Sequence, residues 1–182
     1  GMCHAVVRQG TPMDIKHWAK VTGSLADHWN YSAEIFPETS WEKVANDEVW
    51  NAKISTAFFM YQQGTLATAE NEKLEFFKSS YQLYKKALKK NPQVPNFWHK
   101  NFALAAEKLL HFDSEHSKSV LCKESVKHFK LYLQAAGDDS DRQNIVNAIE
   151  VLEKKDEEVY SKIEKAYKTT EEIVRRGDEK FP

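Results

Sequence analysis

The stretch FFKSSYQLYKKALKKNP, residues 76–92, decides the fold. Together with Leu74 just upstream, Phe77, Tyr81, Tyr84, Ala87 and Leu88 recur at intervals of three and four, the period of one face of an α-helix. Pro92 and Pro95 end the run, because a residue before proline is pushed out of helical backbone. Moved forward by 45 positions, the pattern returns over residues 121–137. Ser80 then meets Ser125, Tyr84 meets Phe129, Lys85 meets Lys130, Ala87 meets Tyr132, Leu88 meets Leu133, and Pro92 meets Gly137.

The helices that precede these two stretches align as well, at an offset of 48. Trp50 falls on Trp98, Ile54 on Phe102, Ala57 on Ala105, Phe58 on Ala106, and Tyr61 on Leu109. Two successive helix pairs thus share one apolar template. A lone pair cannot bury both of its apolar stripes, whereas stacked pairs bury a continuous core. The expected fold class is all-α: antiparallel helix pairs stacked as a short α-solenoid, closed by a C-terminal capping helix.

At these residues the sequence resembles the tetratricopeptide repeat (TPR) family. That family opens helix A with a bulky residue, here Trp50 and Trp98. Its helix B carries a small residue, an aromatic four later, Ala and Leu, then Pro at the turn. Ser80, Tyr84, Ala87, Leu88 and Pro92 supply that order closely, and Ser125, Phe129, Tyr132, Leu133 and Gly137 more loosely. The resemblance covers about residues 50–153. It departs from the family in its period of 45–48 residues, against about 34 for TPR units. The resemblance implies a protein- or peptide-binding role on a concave surface lined by the A helices.

Working outward, Thr11 reads as the cap of a helix opened by Pro12. Ile15, Trp18 and Ala19, then Leu25 and Trp29, predict two short helices meeting near Gly23 and stopped at Pro37. Ser40 reads as the next cap, with a helix from about Trp41 to Gln63 broken at Gly64. Further helices are expected over about 67–91, 96–111, 118–136 and 141–153, and a last one over about 154–177. Residues 1–11 read as a disordered or tag-proximal arm, and 12–182 as a single domain. Within it, 12–49 form a degenerate first unit, 50–92 and 96–137 repeat units, and 139–177 a terminal helix pair.

Composition narrows the function classes. Among 182 residues, 26 basic and 27 acidic side chains give a net charge of −1. No global field draws such a chain to nucleic acid or an anionic membrane, so neither is an expected partner. No run approaches the ~18 apolar residues of a spanning helix. Cys3 and Cys122 form no CxxC and no disulfide framework. Gly1 before Met2 reads as a scar of tag removal. A cytoplasmic location is the resulting expectation.

Chemistry-bearing motifs are sparse. No GxSxG, Walker loop, GxGxxG or Cys-His signature occurs. The lysines 78, 85, 86, 89, 90, 123, 127 and 130 read as solvated helix faces balanced by acids elsewhere. Phe58, Tyr61, Trp98 and Phe102 read as core rather than as an aromatic groove. Some TPR proteins grip a carboxylate through a Lys/Asn/Arg clamp. Asn101 sits where the second-repeat asparagine would lie, but the flanking helices lack the matching Lys-then-Asn and Lys-then-Arg spacings.

The reading that follows is a non-catalytic protein–protein interaction scaffold without cofactors. Lys53, Asn101 and Asn147 are its candidate partner-binding residues, because they lie off the core stripe on the A helices. One alternative is a metal-dependent or small-molecule enzyme in a helical bundle, using His17 and His28, near Asp14, Asp27 and Glu34. Another is a structural module whose uncapped N-terminal face pairs two copies.

Overall fold

A computed structural model describes residues 12–90, 94–112, 115–135 and 141–178. Among them the chain forms helices and no strand: α1 (Pro12–Ile35), α2 (Ser40–Leu66), α3 (Glu70–Lys90), α4 (Asn96–Leu109), α5 (Glu115–Ala135) and α6 (Arg142–Asp178). Helices adjacent in sequence pack on one another, α1 on α2, α2 on α3, and α5 on α6. The fold is all-α with a solenoid-like order of packing, as the repeated apolar template predicts. It divides into two compact units, residues 1–105 and 106–182, with the boundary inside α4. The N-terminal arm, the Thr11 cap and the pairing of Pro92 with Gly137 lie outside the described residues.

In the first unit α2 serves two neighbours. Ala45, Val49, Ala52, Thr56 and Phe59 follow one helical stripe and are buried. A second buried stripe carries Ile54, Ala57 and Gly64. The first faces α1, as the hydrogen bond from Thr56 Oγ1 to Thr22 Oγ1 at 2.9 Å shows. Thr22 in turn donates to the Trp18 carbonyl at 2.9 Å, so both buried hydroxyls are satisfied. The second stripe faces α3, where Ser80 Oγ donates to the Ala57 carbonyl at 2.8 Å. Tyr81 stacks on Phe102 of α4, with ring centroids 5.2 Å apart and planes 22° apart.

In the second unit α5 buries Leu121, Cys122, Ser125, Phe129 and Tyr132, and α6 buries Ile145, Ile149, Leu152 and Val159. The opposite faces of α6 expose Lys154, Glu157, Glu158 and Lys162, a polar outer surface suited to a terminal helix.

Four boundaries differ from the sequence reading. α1 is one helix and passes straight through Gly23, which is not at positive φ. α2 passes through Gly64 because that glycine makes room: a Cβ there would lie 2.7 Å from the Phe77 ring. The residues expected as a terminal helix pair form the single α6, since neither Gly nor Pro interrupts 142–176. The N-cap of α2 is Thr39 rather than Ser40, its hydroxyl accepting from the Glu42 N–H. Glu42 reaches back to the N–H of Glu38, which stands at φ 59° in the left-handed region.

The shared template holds on the B helices and only partly on the A helices. Ser80 and Ser125 are both fully buried, as are Tyr84 and Phe129. Trp98 is buried, but Trp50 is half-exposed with the Lys53 ammonium 4.6 Å from its ring. Phe58 is exposed where its counterpart Ala106 is fully buried. The cause is that α2 turns two of its faces to α1 and α3, which leaves Phe58 on neither buried stripe.

Candidate functional site

The three partner-binding candidates occupy unlike settings. Lys53 on α2 lies over Trp50 and is half-buried. Asn101 on α4 is half-buried beside Tyr84. The Tyr84 hydroxyl is buried without a hydrogen-bond partner among the described residues. Burial pushes the Tyr84 phenol well above the usual tyrosine range. Asn147 on α6 is exposed and accepts from Gln143 Nε2 at 2.9 Å.

The metal alternative fails on geometry. His17 and His28 lie on one helix, separated along its axis by about 16 Å at about 1.5 Å per residue. Each ring instead packs edge-on against the tryptophan that follows it, at 5.8 Å for Trp18 and 6.0 Å for Trp29. No group of three His, Cys, Asp or Glu side chains suited to a metal ion occurs among the described residues.

Two clefts carry more chemistry. In the second unit, a groove of about 360 Å³ runs along α5 and α6, lined by Cys122, Lys123, Val126, Lys127, Lys130, Glu153 and Asp156. Asp156 is a half-buried member of that lining. Ser119 donates to Oδ1 of Asp156, and Lys123 Nζ lies 3.8 Å from Oδ2. Lys123 also lies 5.8 Å from the Tyr160 ring centre. Lys130 pairs with Glu153 at 2.7 Å. Burial first, then the Asp156 carboxylate, pushes the Cys122 thiol up, with Lys155 opposing. That thiol therefore stays protonated at neutral pH and is not an activated nucleophile. Sequence reasoning missed Asp156 because it sits in the charge run KKDEE, residues 154–158. Only its spacing of seven from the buried Ile149 and four from Leu152 signals that it borders the core.

In the first unit, a cleft of about 330 Å³ lies at the α1–α2 elbow, lined by Trp29, Ser32, Phe36, Trp41 and Ala45. Its lining is largely apolar, and Phe36 and Trp41 are exposed.

Comparison with known proteins supplies what the clefts alone do not. No family model matches the chain. No solved structure matches it either. The chain is similar to the protein O-mannosyl-transferase TMEM260 of Mus musculus, 32% identical over 154 residues. The match takes in 84% of this chain and 22% of that protein. The chain thus spans about a fifth of the length of the curated relative it matches.

This likeness corrects the sequence reading. The expectation of a non-catalytic interaction scaffold, and of no enzyme, is overturned, because the relative is by name a transferase. The expectation of no enzyme rested on missing motifs, and a segment matching 22% of a large enzyme need not carry its motifs. The expected cytoplasmic location is overturned too, since the relative's name carries a transmembrane designation. No described helix is long and apolar enough to cross a membrane.

Proposed function

We propose that this chain is a helical segment of a protein O-mannosyl-transferase and takes part in that enzyme's transfer of mannose to protein. The observation that carries the proposal is the 32% identity over 84% of the chain, which takes in most of its helical length. In such a transfer the bond between the anomeric carbon and its leaving group breaks. A new bond forms from that carbon to an acceptor oxygen, and the hydroxyl proton passes to a base. The α5–α6 groove has suitable chemistry for a hydroxyl-bearing ligand of this reaction. Asp156, positioned by Ser119, is an acceptor of hydroxyl hydrogen bonds, and the exposed Lys127 ammonium at the groove supplies donors.

The test is mannose incorporation into protein acceptors by the polypeptide that contains this chain, with Asp156→Asn and Lys127→Ala beside the parent. The proposal expects transfer by the parent and a raised KM in the variants. Absence of transfer from any activated mannose donor overturns the transferase reading. Unchanged kinetics in both variants removes the groove alone.

The TPR resemblance is a second, structural proposal: the two B helices derive from one template. It is supported by the matched burial of Ser80 with Ser125 and of Tyr84 with Phe129.

A further inference from the structure

In the last two turns of α1 the sequence reads Asn30–Tyr31–Ser32, an asparagine followed two places on by a hydroxyl residue with no proline between. That triplet is the acceptor signal for an N-linked glycan. No other asparagine in the chain is followed two places on by serine or threonine. Asn30 is exposed, and so is Tyr31, by 62%. Asn30 Nδ2 donates to Glu34 Oε1 at 3.0 Å, a bond between exposed groups that water replaces at little cost. Thr22 bonds across to Thr56 of α2, and Ala26 and Ala33 are buried on the same side of α1 as Thr22. A sugar chain leaving the exposed Asn30 does not enter that buried side. Within the closed helix Asn30 and Ser32 stand about 200° apart around the axis. The Ser32 hydroxyl there donates to the His28 carbonyl at 3.0 Å. The triplet is therefore legible to an enzyme in the extended chain, before α1 closes, and the closed helix still leaves Asn30 in water.

We propose that Asn30 is an N-glycosylation site, modified during synthesis on the lumenal side of the secretory membrane, and that the helical body lies on that side. The proposal rests on the transferase reading for its compartment, since the relative's name joins a transmembrane designation to mannose transfer onto protein. The donor is of the oligosaccharide diphosphate class, used by the cell's own glycan-transferring enzyme. Asn30 Nδ2 attacks the anomeric carbon of the first sugar and forms an N–C bond. The bond from that carbon to the diphosphate oxygen breaks, the diphosphate leaves with the electron pair, and one amide proton passes to a base. Cys122, the cysteine among the described residues, is buried and so shielded from the oxidants of such a compartment.

The experiment expresses the polypeptide that contains this chain in a eukaryotic cell and purifies it. The tryptic peptide bearing Asn30 is then read by mass spectrometry, before and after treatment with peptide N-glycosidase. The proposal expects an N-acetylhexosamine-based glycan on that peptide, and conversion of the Asn30 amide to a carboxyl when the enzyme releases it. It also expects loss of the glycan on Asn30→Gln and on Ser32→Ala, and its retention on Ser32→Thr. A peptide that is bare throughout the purified polypeptide overturns the proposal. So does a hexose on Ser32 in place of a glycan on Asn30, or a glycan that survives Ser32→Ala. Mannose transfer is measured separately. Transfer with a bare Asn30 defeats this proposal alone, and a glycan on Asn30 without transfer defeats the transferase reading alone.

Discussion

Where α1 meets α2, Ala26, Ala33, Ala45 and Ala52 line the seam and two threonine hydroxyls bridge it. In the second unit, Leu121, Phe129 and Tyr132 of α5 and Ile145, Ile149 and Leu152 of α6 are buried, and Lys130 and Glu153 pair between the two helices. Small side chains allow close backbone approach and leave little void to create. Large ones bury more apolar area each and leave a large void when truncated. The two units therefore fail in opposite ways: the second is sensitive to deletion of volume, the first to its addition.

Phe129→Ala gives the largest effect. A fully buried ring is lost from the second unit, at a cost of about 3–5 kcal/mol in urea unfolding. A change under about 1 kcal/mol would mean that the seam collapses onto the gap.

The glycines of the first unit sharpen the contrast. Gly64→Ala drives a Cβ to 2.7 Å from the Phe77 ring, itself packed 5.7 Å from Tyr61, and destabilises by about 1–3 kcal/mol. Gly23→Ala meets nothing within 4 Å and stabilises by about 0.5–1 kcal/mol through helix propensity. Thermal melts of the pair should shift in opposite directions. A shift of the same sign would show that Phe77 moves aside.

Thr56→Val removes the donor to Thr22 and costs about 1 kcal/mol by the same melts. Tyr84→Phe is close to neutral at pH 7, within about 1 kcal/mol, because the hydroxyl it removes is unpartnered. The parent and this variant separate at alkaline pH. Tyr84 has a raised pKa in the fold, so the unfolded chain ionises first as pH passes the ordinary value of 10.0. Above that pH the unfolded state holds fewer protons, and parent stability falls with pH. Tyr84→Phe lacks that component of the loss, which pH-dependent urea titration measures.

The smallest effect belongs to the rim of the second unit. Lys130→Met breaks a half-exposed ion pair and changes stability by about 0.5 kcal/mol or less, fading further in salt. A loss above about 1 kcal/mol would place the pair in the core energetics rather than at the rim.

The sequence exposes the B helices most clearly, because Ser80 with Tyr84 and Ser125 with Phe129 repeat both polarity and size at one offset. It exposes α2 poorly. A helix shared by two neighbours spreads its apolar residues around the axis, so Trp50 and Phe58 look like core while the fold leaves them half-exposed or exposed. Glycine misleads twice for different reasons: Gly23 is tolerated on an open helix face, and Gly64 is required by a ring. The split of α6 has no breaker to support it, only a change from apolar to charged composition. Asp156 hides in that same charged run, and only the packing of α6 on α5 turns it toward the groove. The transferase reading has no counterpart among local motifs, since it comes from likeness along most of the chain.

Mannose transfer to protein acceptors, measured on the polypeptide that contains this chain and on the same polypeptide with the helical body excised, tests the account most directly. The account predicts transfer by the intact polypeptide and its loss on excision, with restoration by an intact body but not by one carrying Phe129→Ala above its melting temperature. Transfer that persists at full rate without α1–α6 would contradict it.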